Sequence, residues 1–207
     1  MKAIKLFFIL LACLSIQLNA QNTVDDKLKK ANLKAIDGDY AAAINLYSEV
    51  ITQDPRNDDT YIKRGSSYLQ IGNYDEALKD FTKAIKLNPA NASAYYNRAV
   101  IYTDLKEYGD AMAIADLNMA IGLDPNDAYA YLMRGFAYAN MGKMQDAYWD
   151  YAAALQIDPE ETKSYYNMAV VTGIVKNEEK TCEFVYNEAI DGDNPIAKAV
   201  FLSFCAN

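Results

Sequence analysis

Residues 58–89 read DDTYIKRGSSYLQIGNYDEALKDFTKAIKLNP, and this stretch decides how the chain folds. Apolar or small residues recur at helical spacing on both sides of Gly72-Asn73, a pair at which one helix can end and the next be capped. The stretch closes on Asn88-Pro89, where proline cannot continue a helix and Asn favours a turn or a new helix start. Two helices and a turn are therefore predicted. The same punctuation returns along the chain: Pro55, Pro89, Pro125, Pro159 and Pro195 lie 34, 36, 34 and 36 residues apart. Each follows Asp or Asn, namely Asp54, Asn88, Asp124, Asp158 and Asn194. An internal period of this length marks stacked hairpins, each needing a neighbour to bury its apolar face.

The expected fold is all-α: helix-turn-helix units over 22–55, 58–89, 92–125, 128–159 and 162–190, then a capping helix over 195–207. That last helix takes Asn194 as its cap and Pro195 at its first position, with Ile196, Val200 and Phe204 on one stripe. The third unit carries two extra residues between Tyr108 and Ala120. They either lengthen the turn near Gly109 or bulge the second helix.

Residues 1–20 have the pattern of a secretory leader. Lys2 and Lys5 precede an apolar run from Leu6 to Ile16, and Leu18-Asn19-Ala20 offers a small residue before Gln21. The run is too short to span a bilayer, and no second candidate follows it. The chain is thus expected to be exported, periplasmic or secreted. An alternative reading takes Leu10-Leu11-Ala12-Cys13 as a lipoprotein box that anchors the chain through Cys13. Twenty Lys and Arg stand against 28 Asp and Glu, a net charge of −8. Loss of the two leader lysines takes it to −10. Such a field repels phosphate backbones, which argues against nucleic acid as a partner. The chain has no histidine, which removes imidazole general bases and imidazole metal sites. With no phosphate-cradling glycine loop, nucleophile elbow or metal-ligand spacing, neither catalysis nor a cofactor is expected.

Tyr61, Gly65, Tyr68, Gly72, Tyr74, Ala77, Phe81, Ala84 and Pro89 together resemble the tetratricopeptide (TPR) pattern. Tyr131, Gly135, Tyr138, Gly142, Ala147, Tyr151, Ala154 and Pro159 repeat it in the fourth unit. The third unit has Tyr95, Ala99, Tyr102, Tyr108, Ala120 and Pro125; the first and fifth are more divergent. The resemblance implies a right-handed α-solenoid in which small residues let paired helices approach and aromatic side chains fill the space between pairs.

Within that register two further patterns emerge. The seventh position of the three middle units is Arg64, Arg98 or Arg134, and the twenty-third, allowing for the insertion, is Asp80, Asp116 or Asp150. The first unit has Lys30 with Leu46 and the fifth Met168 with Val185, so arginine and aspartate come and go together. Structural ion pairs between the two helices of a unit are expected. Of 17 tyrosines, thirteen fall at packing positions, which leaves Tyr96, Tyr129, Tyr148 and Tyr166 to be explained.

In the family this chain resembles, the first helix of each unit lines a concave groove. By that resemblance the groove-lining residues are Ile62, Ser66, Leu69, Tyr96, Val100, Thr103, Tyr129, Leu132, Phe136, Asn140, Tyr166 and Val170, with Gln70 and Asp104 beside them. An apolar, aromatic groove of this kind fits a peptide or partner helix. The residues do not reproduce the clamp that some members use for a C-terminal carboxylate. Asn32 fits, but Leu28, Lys63, Ser93 and Asn97 stand where lysine, asparagine, lysine and arginine would be expected. Trp149 falls at an outward position of its helix, either packed over a neighbour or marking a second contact surface. Cys182 and Cys205 are either a disulfide or free thiols. The expected function is a non-catalytic adaptor that binds a peptide or partner helix. The alternative is a structural subunit of an envelope assembly whose groove is permanently filled by a partner or a second copy.

Overall fold

The computed structural model describes residues 23–105, 109–159 and 167–168. The leader with Cys13, most of the fifth unit, Cys182, Cys205 and the capping helix lie outside the described residues. Among the described residues there are eight helices and no strand. They are α1 (23–36), α2 (Tyr40–Gln53), α3 (Asp58–Gln70), α4 (Tyr74–Leu87), α5 (Ala92–Asp104), α6 (Asp110–Leu123), α7 (Ala128–Asn140) and α8 (Met144–Ile157). They fall into two compact units, Met1–Pro89 and Ala90–Asn207. Within the first, α3 packs on α2 and α4; within the second, α6 packs on α5 and α7, α7 on α8, and α5 touches α7.

The turns follow from the residues at them. Gly38, Gly72 and Gly142 adopt φ of +80, +74 and +74°, where a side chain would be strained. Around each, two backbone bonds close the preceding helix: Gly72 N–H to Leu69 and Asn73 N–H to Tyr68, Gly142 to Ala139 and Lys143 to Tyr138, Gly38 to Ala35 and Asp39 to Lys34. This is the Schellman arrangement. The residue after each glycine is also the next helix's N-cap, so one residue ends a helix and starts another. Asp39 accepts from the Ala42 N–H and Asn73 from the Glu76 N–H, whereas Lys143 makes no side-chain cap bond. At the unit boundaries Asn57 caps α3 and Asp127 caps α7.

The third hairpin takes up its two extra residues in the turn. α6 is 14 residues long, like α2, α4 and α8, while the connection after Asp104 runs from Leu105 to Gly109. No helix is bulged.

The cores show why some positions are glycine. A Cβ built on Gly65 would lie 2.8 Å from the Phe81 ring, and one on Gly135 would lie 2.7 Å from the Tyr151 ring. The corresponding pair in α5 and α6 is Ala99 with Leu117, both fully buried. At Gly65 and Gly135 the ring opposite leaves no room for a Cβ, whereas opposite Leu117 an alanine fits. In the second unit Leu132, Tyr148, Tyr151, Leu155 and Met168 share one apolar cluster, and in the first Ala31, Ala43 and Tyr47 share another.

Candidate functional site: the face of α5 and α7

The charge on these helices is already committed. Arg64 donates to Asp80 through Nε at 2.8 Å and Nη2 at 2.7 Å; Arg98 grips Asp116 at 2.7 and 2.8 Å, and Arg134 grips Asp150 at 2.8 and 2.7 Å. All three aspartates are buried. The ion pairs expected from the covarying positions are therefore present in all three units that carry them. Hydrogen bonding to the paired carboxylate raises each guanidinium's pKa against the opposing effect of burial. The guanidinium carbons also lie over tyrosine rings: Arg64 over Tyr61 and Tyr68, Arg98 over Tyr102, and Arg134 over Tyr131, at 5.4–5.8 Å.

One role of these arginines was not read from the sequence. The remaining amino group of Arg64 donates to Ser48 Oγ at 2.9 Å, and that of Arg134 to Asn118 Oδ1 at 2.7 Å. Ser48 lies in α2 and Asn118 in α6, each the second helix of the preceding repeat. One side chain thus joins three helices. Ser48 and Asn118 both sit 16 residues before their arginine, and that shared offset was the available signal.

With the arginines engaged, the residues assigned to the groove divide by exposure. Ile62 and Leu132 are buried, and so is Thr103, whose hydroxyl bonds to the Ala99 and Val100 carbonyls. All three serve packing rather than contact, Ile62 within the first unit and Thr103 and Leu132 within the second. Ser66, Leu69, Tyr96 and Val100 are half-buried. Tyr129 and Phe136 stand open, 55% and 42% exposed. At 100° per residue they lie within about 20° of one another around α7, and Asn140 falls on the same stripe. Asn140 is exposed and donates to Asp110 Oδ1 at 3.2 Å. Tyr96 of α5 lies beside this stripe: burial raises its hydroxyl pKa, and the charge of Asp127 and then the Tyr129 phenol add to the rise. Tyr166 and Val170 lie outside the described residues.

The face on α5 and α7 is therefore apolar and aromatic, over a floor that includes Leu132. Nothing in it resembles a catalytic arrangement, and among the described residues no group of His, Cys, Asp and Glu could hold a metal ion. No described helix is long and apolar enough to cross a membrane. The clamp positions are also occupied: Asn32 accepts from the Tyr47 hydroxyl, Lys63 pairs with Asp59, and Asn97 donates to the Ser93 carbonyl. Trp149 is 56% exposed and meets buried Tyr148 edge-on, with ring centroids 5.1 Å apart. It lies on the outer surface rather than under a neighbouring helix.

Family profiles described as tetratricopeptide repeat match residues 35–79, 92–127 and 128–161, and one described as TPR repeat matches 65–106. No curated protein matches the chain. Among solved structures, a crystal structure of MamA protein is 28% identical, covers 81% of this chain and 94% of its own, and superposes with a TM-score of 0.68. YrrB, described as a TPR protein with an unusual peptide-binding site, is 25% identical over 84% of this chain and 89% of its own, with a TM-score of 0.64. The first TPR of Spaghetti (RPAP3), solved bound to HSP90 peptide SRMEEVD, is 28% identical over 58% of this chain and 94% of its own, with a TM-score of 0.56. With repeat profiles running from residue 35 to 161 and the helix pairs to match, the chain belongs to the tetratricopeptide repeat family, and its fold is an all-α TPR solenoid.

Proposed function

We propose that this chain is an exported, non-catalytic adaptor that holds a peptide or partner helix against the face of α5 and α7. The observation that carries the reading is the exposure of Tyr129 and Phe136 on one stripe of α7, in a unit whose other large aromatics are mostly packed or stacked. Large rigid side chains of this kind supply contact area at little conformational cost, and they recur at the energetic centres of interfaces. The peptide-binding description of YrrB and the peptide bound to the first TPR of Spaghetti (RPAP3) support a binding role. Export rests on the leader-like residues 1–20, with cleavage after Ala20 or lipidation at Cys13 as its two forms.

A photo-crosslinking residue placed at 129 or 136 tests the site. Crosslinks to a discrete partner are expected there, and none from position 138, which lies on the opposite side of α7. Equal yields from both faces would remove the assignment. The second reading, a structural subunit of an envelope assembly, is favoured by a different surface: Met112, Met119 and Leu123 of α6 and Trp149 of α8 are all exposed. It expects the chain to remain in a stable complex through purification from the native envelope, whichever face is substituted.

A further inference from the structure

The face of α5 and α7 has a sign. Among the described residues, its apolar floor and exposed aromatics carry no available cation: the basic residues of α5 and α7 are Arg98 and Arg134, each held bidentate by its own aspartate. Lys143, at the start of α8, places its ammonium 5.7 Å from the ring centre of Tyr138, half a turn around α7 from Tyr129 and Phe136. The carboxylates are placed differently. Asp104 is the last residue of α5, exposed, and one step around that helix from Tyr96, Val100 and Thr103. Asp110 is held to the same end by its bond from Asn140, the last residue of α7.

The partial negative charge of α5 and α7 gathers at that end, beside the first turn of α6, in which Asp110 lies. Neither α5 nor α7 has a basic residue in its last turn, and the side chain closing α5 is itself an acid. Asp104 therefore opposes the dipole of α5, an arrangement that within that helix costs rather than contributes stability. A cation arriving from outside would relieve it. The wider field has the same sign. From Gln21 to Pro89 there are ten Lys and Arg against eleven Asp and Glu, and Ala90–Asn207 holds eight against seventeen, so the net charges are −1 and −9.

We infer that the face of α5 and α7 takes a cationic amphipathic segment. Its apolar stripe covers Tyr129 and Phe136, and its Lys or Arg side chains reach Asp104 and Asp110 at the C-terminal ends of the two helices. This rests on the reading of that face as a peptide site and names the chemistry of the partner: a basic internal segment, not an acidic tail ending in a free carboxylate. Apolar contact supplies most of the affinity, and the carboxylates select the sign and speed the encounter.

The test uses the chain from Gln21 onward and three fluorescent helical peptides, all amidated, with one shared Leu/Phe stripe flanked by Lys, by Gln or by Glu. The expected order of affinity is Lys above Gln above Glu, with the spread shrinking as salt rises from about 50 mM to about 500 mM. Asp104→Asn should weaken the Lys peptide about two- to fivefold, as expected for a solvent-exposed ion pair, and leave the Gln peptide unchanged. Asp104→Lys should reverse the order of the Lys and Glu peptides, whereas Tyr129→Ala with Phe136→Ala should weaken all three alike. Glu binding as tightly as Lys, or an Asp104→Lys variant with the order unchanged, overturns this inference and leaves the peptide face standing. Binding of none of the three, or indifference to the aromatic substitutions, overturns the peptide face as well.

Discussion

Arginine 64 shows how one side chain can be part of both a repeat and the stack. Two of its donors hold Asp80 within the repeat, and a third reaches Ser48 in the repeat before it. The arginine side chain is 19% exposed and the aspartate 6%, so neither charge is fully hydrated and each depends on the other. Asp80→Ala is therefore expected to destabilise the chain by roughly 2–3 kcal/mol, below the cost for a completely buried pair. The double replacement Arg64→Met with Asp80→Leu should fall within about 1 kcal/mol of the parent, because it removes both desolvation costs together. Met168, fully buried at the arginine position of the fifth repeat, shows that this chain accepts methionine there. Urea unfolding of the three proteins decides the matter, and a double variant as unstable as the single one would contradict the coupling. This pair was legible in the sequence because it varies as a unit between repeats. Burial at Ile62, Leu132 and Thr103 was not, since the groove register gives the direction of a side chain without saying what lies over it.

Helix ends explain the next scale. The spacing of the prolines and the Gly72-Asn73 pair located the hairpins, because a reversal needs a residue that tolerates positive φ followed by one that can cap. The sequence leaves the third hairpin open between a longer turn and a bulged helix, because both accommodate two residues at equal sequence cost. The structure places them in the turn, where Gly109 adopts φ of +76° and caps α6 without a side-chain bond. The fourth hairpin has a different defect. Lys143 occupies the N-cap of α8 with φ −85° and ψ 63°, close to Asn73 at −88° and 73°, yet it offers no acceptor to the first-turn N–H groups. Lys143→Asn should therefore supply the missing bond and stabilise the fold by about 0.5–1 kcal/mol, less whatever the lysine contributes over the Tyr138 ring. Thermal unfolding and amide exchange at the start of α8 would register it. A lower midpoint would mean that the lysine–tyrosine contact outweighs the cap.

Across the whole molecule the abundance of tyrosine sets a response to pH that no histidine can produce. The chain has 17 tyrosines and no histidine, so its main uncharged-to-charged side-chain transitions above neutrality are phenolic. Burial raises the pKa of Tyr47, Tyr96 and Tyr151, with nearby acids Asp59, Asp127 and Asp150 adding to the effect. In the unfolded chain these hydroxyls ionise near pH 10, while in the fold they resist until higher pH. Their contribution to stability is thus complete below about pH 10 and is lost as the pH rises through the folded values. The melting temperature should hold steady at about pH 8 to 9 and then fall steeply toward about pH 11. Lysine deprotonation occurs in the same range, so the decisive quantity is the difference between the parent and Tyr151→Phe. Phenylalanine keeps the ring that fills the space beside Gly135 and removes the ionisable group. The variant's melting temperature should therefore fall less steeply above about pH 10, while below it the two curves run parallel. Parallel curves throughout would show that Tyr151 ionises in the fold as readily as in the open chain, contrary to a phenol enclosed between α7 and α8.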